Sequence, residues 1–233
     1  VARVSGILKH AVAEMDPAEL GRGVADGLLE GLVHQGHVGQ VEFDAEILGA
    51  SRDERALSSA IFAVRKRMPW LQINLLTAFL AASVVGLFES TIAKFTALAV
   101  LLPVVAGQSG NAGAQALAVT MRGLALREIT ARDWLRVMRK EIEVGLLNGI
   151  AIAVTCSLAV YLWSGSLGLV LVIAVSMVLA MIVAGFAGAV VPVALVKLGQ
   201  DPAQSSSIVL TTITDVAGFF SFLGIASALS AFL

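Results

Sequence analysis

Up to Arg67 the chain mixes polar and apolar residues; beyond it, long apolar runs are separated by short polar breaks. Five runs, 70–88, 92–121, 144–163, 167–196 and 203–233, are long enough to cross a bilayer, which takes ~20 apolar residues. The second carries a charge only at Lys94, near its start, the fourth carries none, and the fifth only Asp215. These three exceed the minimum length, which predicts tilting or bending, and Pro103 and Pro192 predict kinks. Ala180, Ala184 and Gly188 recur every fourth residue, a stripe of small residues that lets helices approach closely. The pattern predicts an all-α membrane protein with five transmembrane helices per chain.

Ahead of these spans the signals are those of water-facing helices. In "MDPAEL" Asp16 is a cap, Pro17 fits the first helical position and Glu19 the first turn, and Leu20, Val24, Leu28 and Leu32 mark one apolar face. "SRDERALSSAIFAVRKR", Ser51 to Arg67, predicts an amphipathic helix capped by Ser51 or Asp53 that leads into the first span. The expected organisation is a short, helical polar segment over 1–50, this amphipathic helix over 51–67, and a five-helix membrane domain over 68–233. His34 and His37 have a spacing that could bind metal, but with Gly36 between them and no third ligand nearby they read as a solvated pair.

Composition agrees with the pattern. Hydrophobic residues make up 58% of the chain and the mean hydropathy is +0.88, against ~45–50% apolar residues in soluble domains. Residues 1–67 hold 18 charged side chains and the other 166 residues hold 15. The net charge of −1 gives no reason to expect nucleic acid. Cys156, alone in an apolar run, excludes a disulfide framework and reads as a small packed hydrophobe. Acidic residues through the first thirty positions argue against a cleavable signal peptide, so the internal spans are expected to direct insertion. Basic residues cluster at Arg65–Arg67 and again from Arg122 to Lys140. The positive-inside rule then places the N-terminus in the cytoplasm and, after five crossings of a cell (inner) membrane, the C-terminus outside, with Asp201 near the inner face.

The polar residues within the spans carry the chemistry. A carboxylate in mid-span costs ~2.5–3.5 kcal/mol and is tolerated where it faces an aqueous cavity or a cation. Ser207, Thr211 and Asp215 are four apart and Gly218 three further on, one face of one helix. A protonated Asp215 bonded between helices, or a proton relay, are the other readings; a relay wants further intramembrane acids or histidines, and the spans hold none. In "LPVVAGQSGNAGAQALAV" Gly107, Asn111 and Gln115 share a second face, with Gly110 and Gly113 flanking Asn111. Uncharged amide oxygens suit a hydrated hard cation; they would also serve as a dry clamp between helices. Taken with Asp215 they favour an ion path. One carboxylate half-neutralises a divalent ion, so two copies about a twofold axis would match its charge, which points to a homodimer.

Three stretches resemble the hallmarks of MgtE-type magnesium channels: "RKRMPWLQINLLTAFLAASVVGLFEST" (65–91), "LPVVAGQSGNAGAQALAVTMRGLALREI" (102–129) and "DPAQSSSIVLTTITDVAGFFSFLGIA" (201–226). The resemblance covers about 47–233. It implies a homodimeric channel with its pore at the subunit interface, lined by spans two and five and carrying Mg²⁺. It puts the ion-binding acid at Asp215, a backbone carbonyl ligand at Thr211, the pore asparagine at Asn111 and the acid of the cytoplasmic mouth at Asp201. Gly107, Gly110, Gln115, Ser207 and Gly218 would line the path; at Ser207 some members carry asparagine. Members of the family also carry a pair of magnesium-sensing CBS domains ahead of the membrane. Residues 1–50 are too few for such a pair, so only the connecting plug-like helix near 51–67 is expected, with weaker closure by cytosolic Mg²⁺. Other readings are passage of Mn²⁺, Co²⁺ or Ca²⁺, an intramembrane aspartyl enzyme, and a non-conducting assembly subunit.

Overall fold

The computed structural model of the chain describes residues 54, 57–199 and 202–231. The segment 1–50, with its helix start at Asp16 and its histidines, lies outside these residues, as do the Ser51 and Asp53 caps and Asp201. Among the described residues there are six helices: α1 Ala60–Leu87, α2 Glu89–Lys94, α3 Ala97–Ala125, α4 Trp134–Ser164, α5 Leu167–Lys197 and α6 Pro202–Ala228. All but α2 are long and apolar enough to cross a membrane, α6 over Ser206–Ala228.

The helix ends differ from the apolar runs. The helix expected up to Arg67 leads into the first span without a break. One unbroken helix, α1, runs through Arg65–Arg67 and past Pro69, capped by Ser59, whose hydroxyl accepts from the Phe62 N–H at 3.4 Å. The second span starts at Ala97 and not at 92, because the helix is interrupted at Phe95 and Thr96 after the short α2. The third starts ten residues early, at Trp134, so Arg136, Arg139 and Lys140 form its first turns and not a loop. Hydropathy marks what enters hydrocarbon; charged residues remain good helix formers in the interface beyond it. Helices α3 and α5 run continuously across Pro103 and Pro192.

Two connections are built from backbone chemistry. Gly165, at a φ of 65°, ends α4 in the left-handed region, and Ser166 then caps α5 by accepting from the Leu169 N–H at 3.3 Å. After α3, the Gly123 carbonyl accepts from the N–H groups of both Glu128 and Ile129, which places Arg127 at a φ of 57°. In the same turn the Asp133 carboxylate accepts from the Thr130 N–H and hydroxyl, and these bonds hold its pKa below the usual carboxylate value.

Helix α5 is the centre of the bundle. It packs on α3, α4 and α6, α3 also packs on α6, and α1 rests on α6. Its charge-free sequence permits burial on several sides, and the Ala180, Ala184 and Gly188 stripe is buried, as expected. Glycine is required at these crossings. A Cβ on Gly145 would lie 2.5 Å from the Met181 carbonyl oxygen, and one on Gly188 2.6 Å from that of Gly113; one on Gly185 would collide with the carbonyl of Glu141. The buried hydroxyls of Ser109, Thr120 and Ser176 donate to carbonyls one turn back at 2.9, 2.8 and 2.5 Å, so none faces an apolar neighbour unpaired.

Gly185→Leu is expected to push α4 and α5 apart and to cost about 1–3 kcal/mol, in the range of overpacked cores. Gly86→Ala meets no atom within 4 Å and is expected to be neutral or stabilising by up to ~1 kcal/mol, because alanine is the better helix former. Thermal melts of the purified variants in detergent check both, and a Gly185→Leu protein that melts like the parent would contradict the packing.

Candidate functional site

Helices α3 and α6 run antiparallel. The Cα of Gly218 faces Val105 and Ser109, each 3.6 Å from a Cβ built there, whereas Gly113 meets Leu210 and Thr214 at 3.0 and 3.3 Å. Ser109, Leu210 and Thr214 are buried in this contact. The expected polar stripes stand beside it. On α6, Thr211 is exposed, and Ser207 and Asp215 are half-buried. On α3, Gly107, Asn111 and Gln115 are exposed and Gly110 is half-buried. A Cβ at Gly107 or Gly110 would meet nothing within 4 Å. These two glycines keep an outer surface bare, while Gly113 is consumed by packing. Gly218, expected on the open stripe, is buried against α3 and belongs to the helix contact. It follows Asp215 by three residues, and that turn of ~300° carries it back to the packed side.

Asn111 is two residues from both Ser109 and Gly113, so it projects to the opposite side of α3 from the stripe that meets α6. Within one chain, then, the amides and Asp215 are left open at separate places and no hydrogen bond joins them. The Asp215 side chain forms no hydrogen bond or ion pair among the described residues. The protonated, interhelically bonded Asp therefore has no partner within the described chain. The Thr211 carbonyl already accepts a 3.1 Å bond from the Thr214 hydroxyl, in addition to its place in the helix ladder, and the Thr211 hydroxyl donates to the Ile208 carbonyl at 3.1 Å. Cys156 is half-buried against the core, as a packing residue would be.

No group of three or more His, Cys, Asp and Glu residues able to hold a metal occurs among the described residues. One lone carboxylate with hydroxyls and amides suits a cation that keeps much of its water, as Mg²⁺ does. A single chain supplies too few oxygens to replace that shell.

The burial of one polar residue was not anticipated from the sequence. Glu141 reads as one charge of a basic loop, yet its side chain is only 4% exposed, on the face of α4 that also carries Gly145 and Gly149. The spacing of four between these residues, with an acid in line with two glycines, was the available signal.

Residues 102–225 match MgtE, a family of divalent cation transporters. The magnesium transporter MgtE of Thermus thermophilus is 40% identical over 163 residues, which cover 70% of this chain and 36% of that protein. That of Bacillus subtilis is 32% identical over 190 residues, covering 81% and 42% respectively. That of Enterococcus faecalis is 34% identical over 174 residues, covering 75% and 38%. The chain thus spans about two fifths of the length of these relatives. The family match takes in both polar stripes and more than half of the residues, and the chain belongs to the MgtE family of divalent cation transporters.

Proposed function

We propose that this chain carries Mg²⁺ across a cell membrane into the cytoplasm, through a pore formed between two copies. The observation that carries the reading is the Asp215 carboxylate, unpartnered and half-buried in a span otherwise free of charge. Such a group is costly in hydrocarbon unless water or a cation faces it. Three relatives are named magnesium transporters, which favours Mg²⁺ over Mn²⁺, Co²⁺ or Ca²⁺ within a family described by divalent cations.

The dimer follows from what one chain leaves undone. The amide stripe of α3 and the acid stripe of α6 both lie bare, and a second copy can cover both and set two Asp215 carboxylates across one axis. Their combined charge matches the ion. Asn111 and Ser207 would then hydrogen-bond the water shell of a largely hydrated Mg²⁺, with Gly107 and Gly110 giving it room, while Gln115 borders the space between α3, α4 and α5. The Thr211 carbonyl, already bonded by Thr214, would meet the ion through a water molecule. Asp201 would stand at the cytoplasmic mouth. The N-terminal side of α1 and the turn between α3 and α4 face the cytoplasm in this reading, because their basic side chains stay on the side that retains positive charge. An inside-negative potential drives entry with ~2.3 kcal/mol per charge per 100 mV, twice that for a divalent ion.

Asp215→Asn keeps the shape of the side chain and removes its charge. In proteoliposomes containing a Mg²⁺-sensitive dye it is expected to lower the initial uptake rate by about tenfold or more, which corresponds to ~1.4 kcal/mol. Uptake equal to that of the parent protein would rule out Asp215 as the ion site. Asn111→Leu is expected to reduce the same rate by several-fold and Cys156→Ala to leave it within about twofold; equal losses would mean that the open face of α3 has been misassigned. Native mass spectrometry in detergent is expected to give a species of twice the 24.2 kDa chain mass.

A further inference from the structure

The Glu141 carboxylate lines a cavity of about 160 Å³ between α3, α4 and α5. Helix α4 rests on α5, which also packs on α3. The space left between α3 and α4 is bordered by Gln115 of α3, Lys140, Glu141 and Asn148 of α4, and Met181 and Gly185 of α5. Of the eleven lining residues three supply a side-chain oxygen that a cation can use, the carboxylate of Glu141 and the amides of Gln115 and Asn148; apart from Lys140 the rest are apolar. Gln115 and Asn148 are exposed and form the rim, and Glu141 is the buried floor. Gly185 has no side chain to fill the space, and its Cα lies against the Glu141 backbone.

The carboxylate is not bare. The Lys140 ammonium lies 2.5 Å from Oε1 of Glu141, but the two side chains differ in burial, at 56% exposed for the lysine and 4% for the acid. A charge that cannot leave is therefore neutralised by one on a flexible stem that can. The Lys140 ammonium bonds the Glu141 carboxylate and makes no hydrogen bond to the amide oxygens of Gln115 or Asn148. A divalent cation would use all three. A water molecule occupies about 30 Å³, so the cavity accommodates a cation with most of a first shell of six.

We propose that this cavity is a second divalent-cation site, distinct from Asp215, in which a hydrated hard cation displaces the Lys140 ammonium from Glu141 and is held through water by Gln115 and Asn148. The site lies within a single chain and needs neither a second copy nor a conducting pore, so it stands apart from the transport reading.

Mn²⁺, a paramagnetic hard cation, serves as the probe. Its free concentration is followed by electron paramagnetic resonance as it is titrated into the purified full chain bearing Asp215→Asn, which removes the proposed pore site. One Mn²⁺ per chain is expected to bind. Adding Glu141→Gln is expected to weaken binding by about tenfold or more, and adding Lys140→Gln to tighten it by several-fold, since the competitor is gone. The opposed signs are diagnostic, because two variants that merely broke a structural ion pair would shift Mn²⁺ binding in the same direction or not at all. Unchanged titration in the Glu141→Gln protein, or no tightening in the Lys140→Gln protein, overturns the proposal, as does absence of Mn²⁺ binding in the Asp215→Asn protein. If Glu141→Gln does not fold, the Lys140→Gln arm decides. A chain that binds Mn²⁺ in this way but fails to move Mg²⁺ would refute the transport function and leave this site standing.

Discussion

The bundle depends on backbone meeting backbone along α5. In a bilayer, lipid tails are as apolar as leucine, so helices gain little by hiding side chains from their surroundings and associate through close packing. That packing is available only where a helix has nothing in the way. Gly185 and Gly188 bring α5 against the main chain of α4 and α3, and Gly145 returns the contact from α4. The remaining features follow from those crossings. They fix the distance from α3 to α5, and α3 in turn supports α6 through Gly113 and Gly218. Both polar stripes are consequently carried on helices that are held on one side and bare on the other.

The same residue type serves two opposite purposes here. Gly113, Gly145, Gly185 and Gly188 are filled against by neighbours, while Gly107 and Gly110 face nothing within the chain. An open glycine has no packing reason to persist in a helix, where it costs ~1 kcal/mol relative to alanine. The cost is understandable where bulk would occupy a path. Likewise Ser109, Thr120 and Ser176 spend their hydroxyls on their own helices, while the Asp215 carboxylate has no bond among the described residues, the arrangement expected where the missing partner is mobile.

Most of the fold was legible because a membrane span announces itself by length and composition, and all five runs became helices. The ends were not, since hydropathy stops where hydrocarbon stops and α1 and α4 continue through basic residues into the interface. The open stripes of α3 and α6 were legible from spacing alone. Gly218 was misplaced because three residues and four residues were treated as one face, a distinction that matters where the face is narrow. The Glu141 cavity escaped notice because the acid lies among arginines and lysines, which reads as a solvated loop until α4 is seen to begin at Trp134. The separation of Asn111 from Asp215 around α3 could not be read from two spans whose mutual rotation is set by Gly113 and Gly218.

The order in which the helices pair has a consequence for biosynthesis. Helix α1, the first described span to leave the ribosome, has α6, the last, as its principal partner. At ~5–20 residues per second, the ~115 residues between Leu87 and Pro202 take on the order of ten seconds to make. Over that interval α1 must survive in lipid without its neighbour. Its polar side chains are suited to waiting: Thr77 and Ser83 donate to the carbonyls of Asn74 and Leu80 within the same helix. Helices α4 and α5, joined by Gly165 and Ser166, need no such delay and can enter as a hairpin. A ribosome that stalls before α6 therefore leaves α1 without its principal partner, however well α4 and α5 have packed.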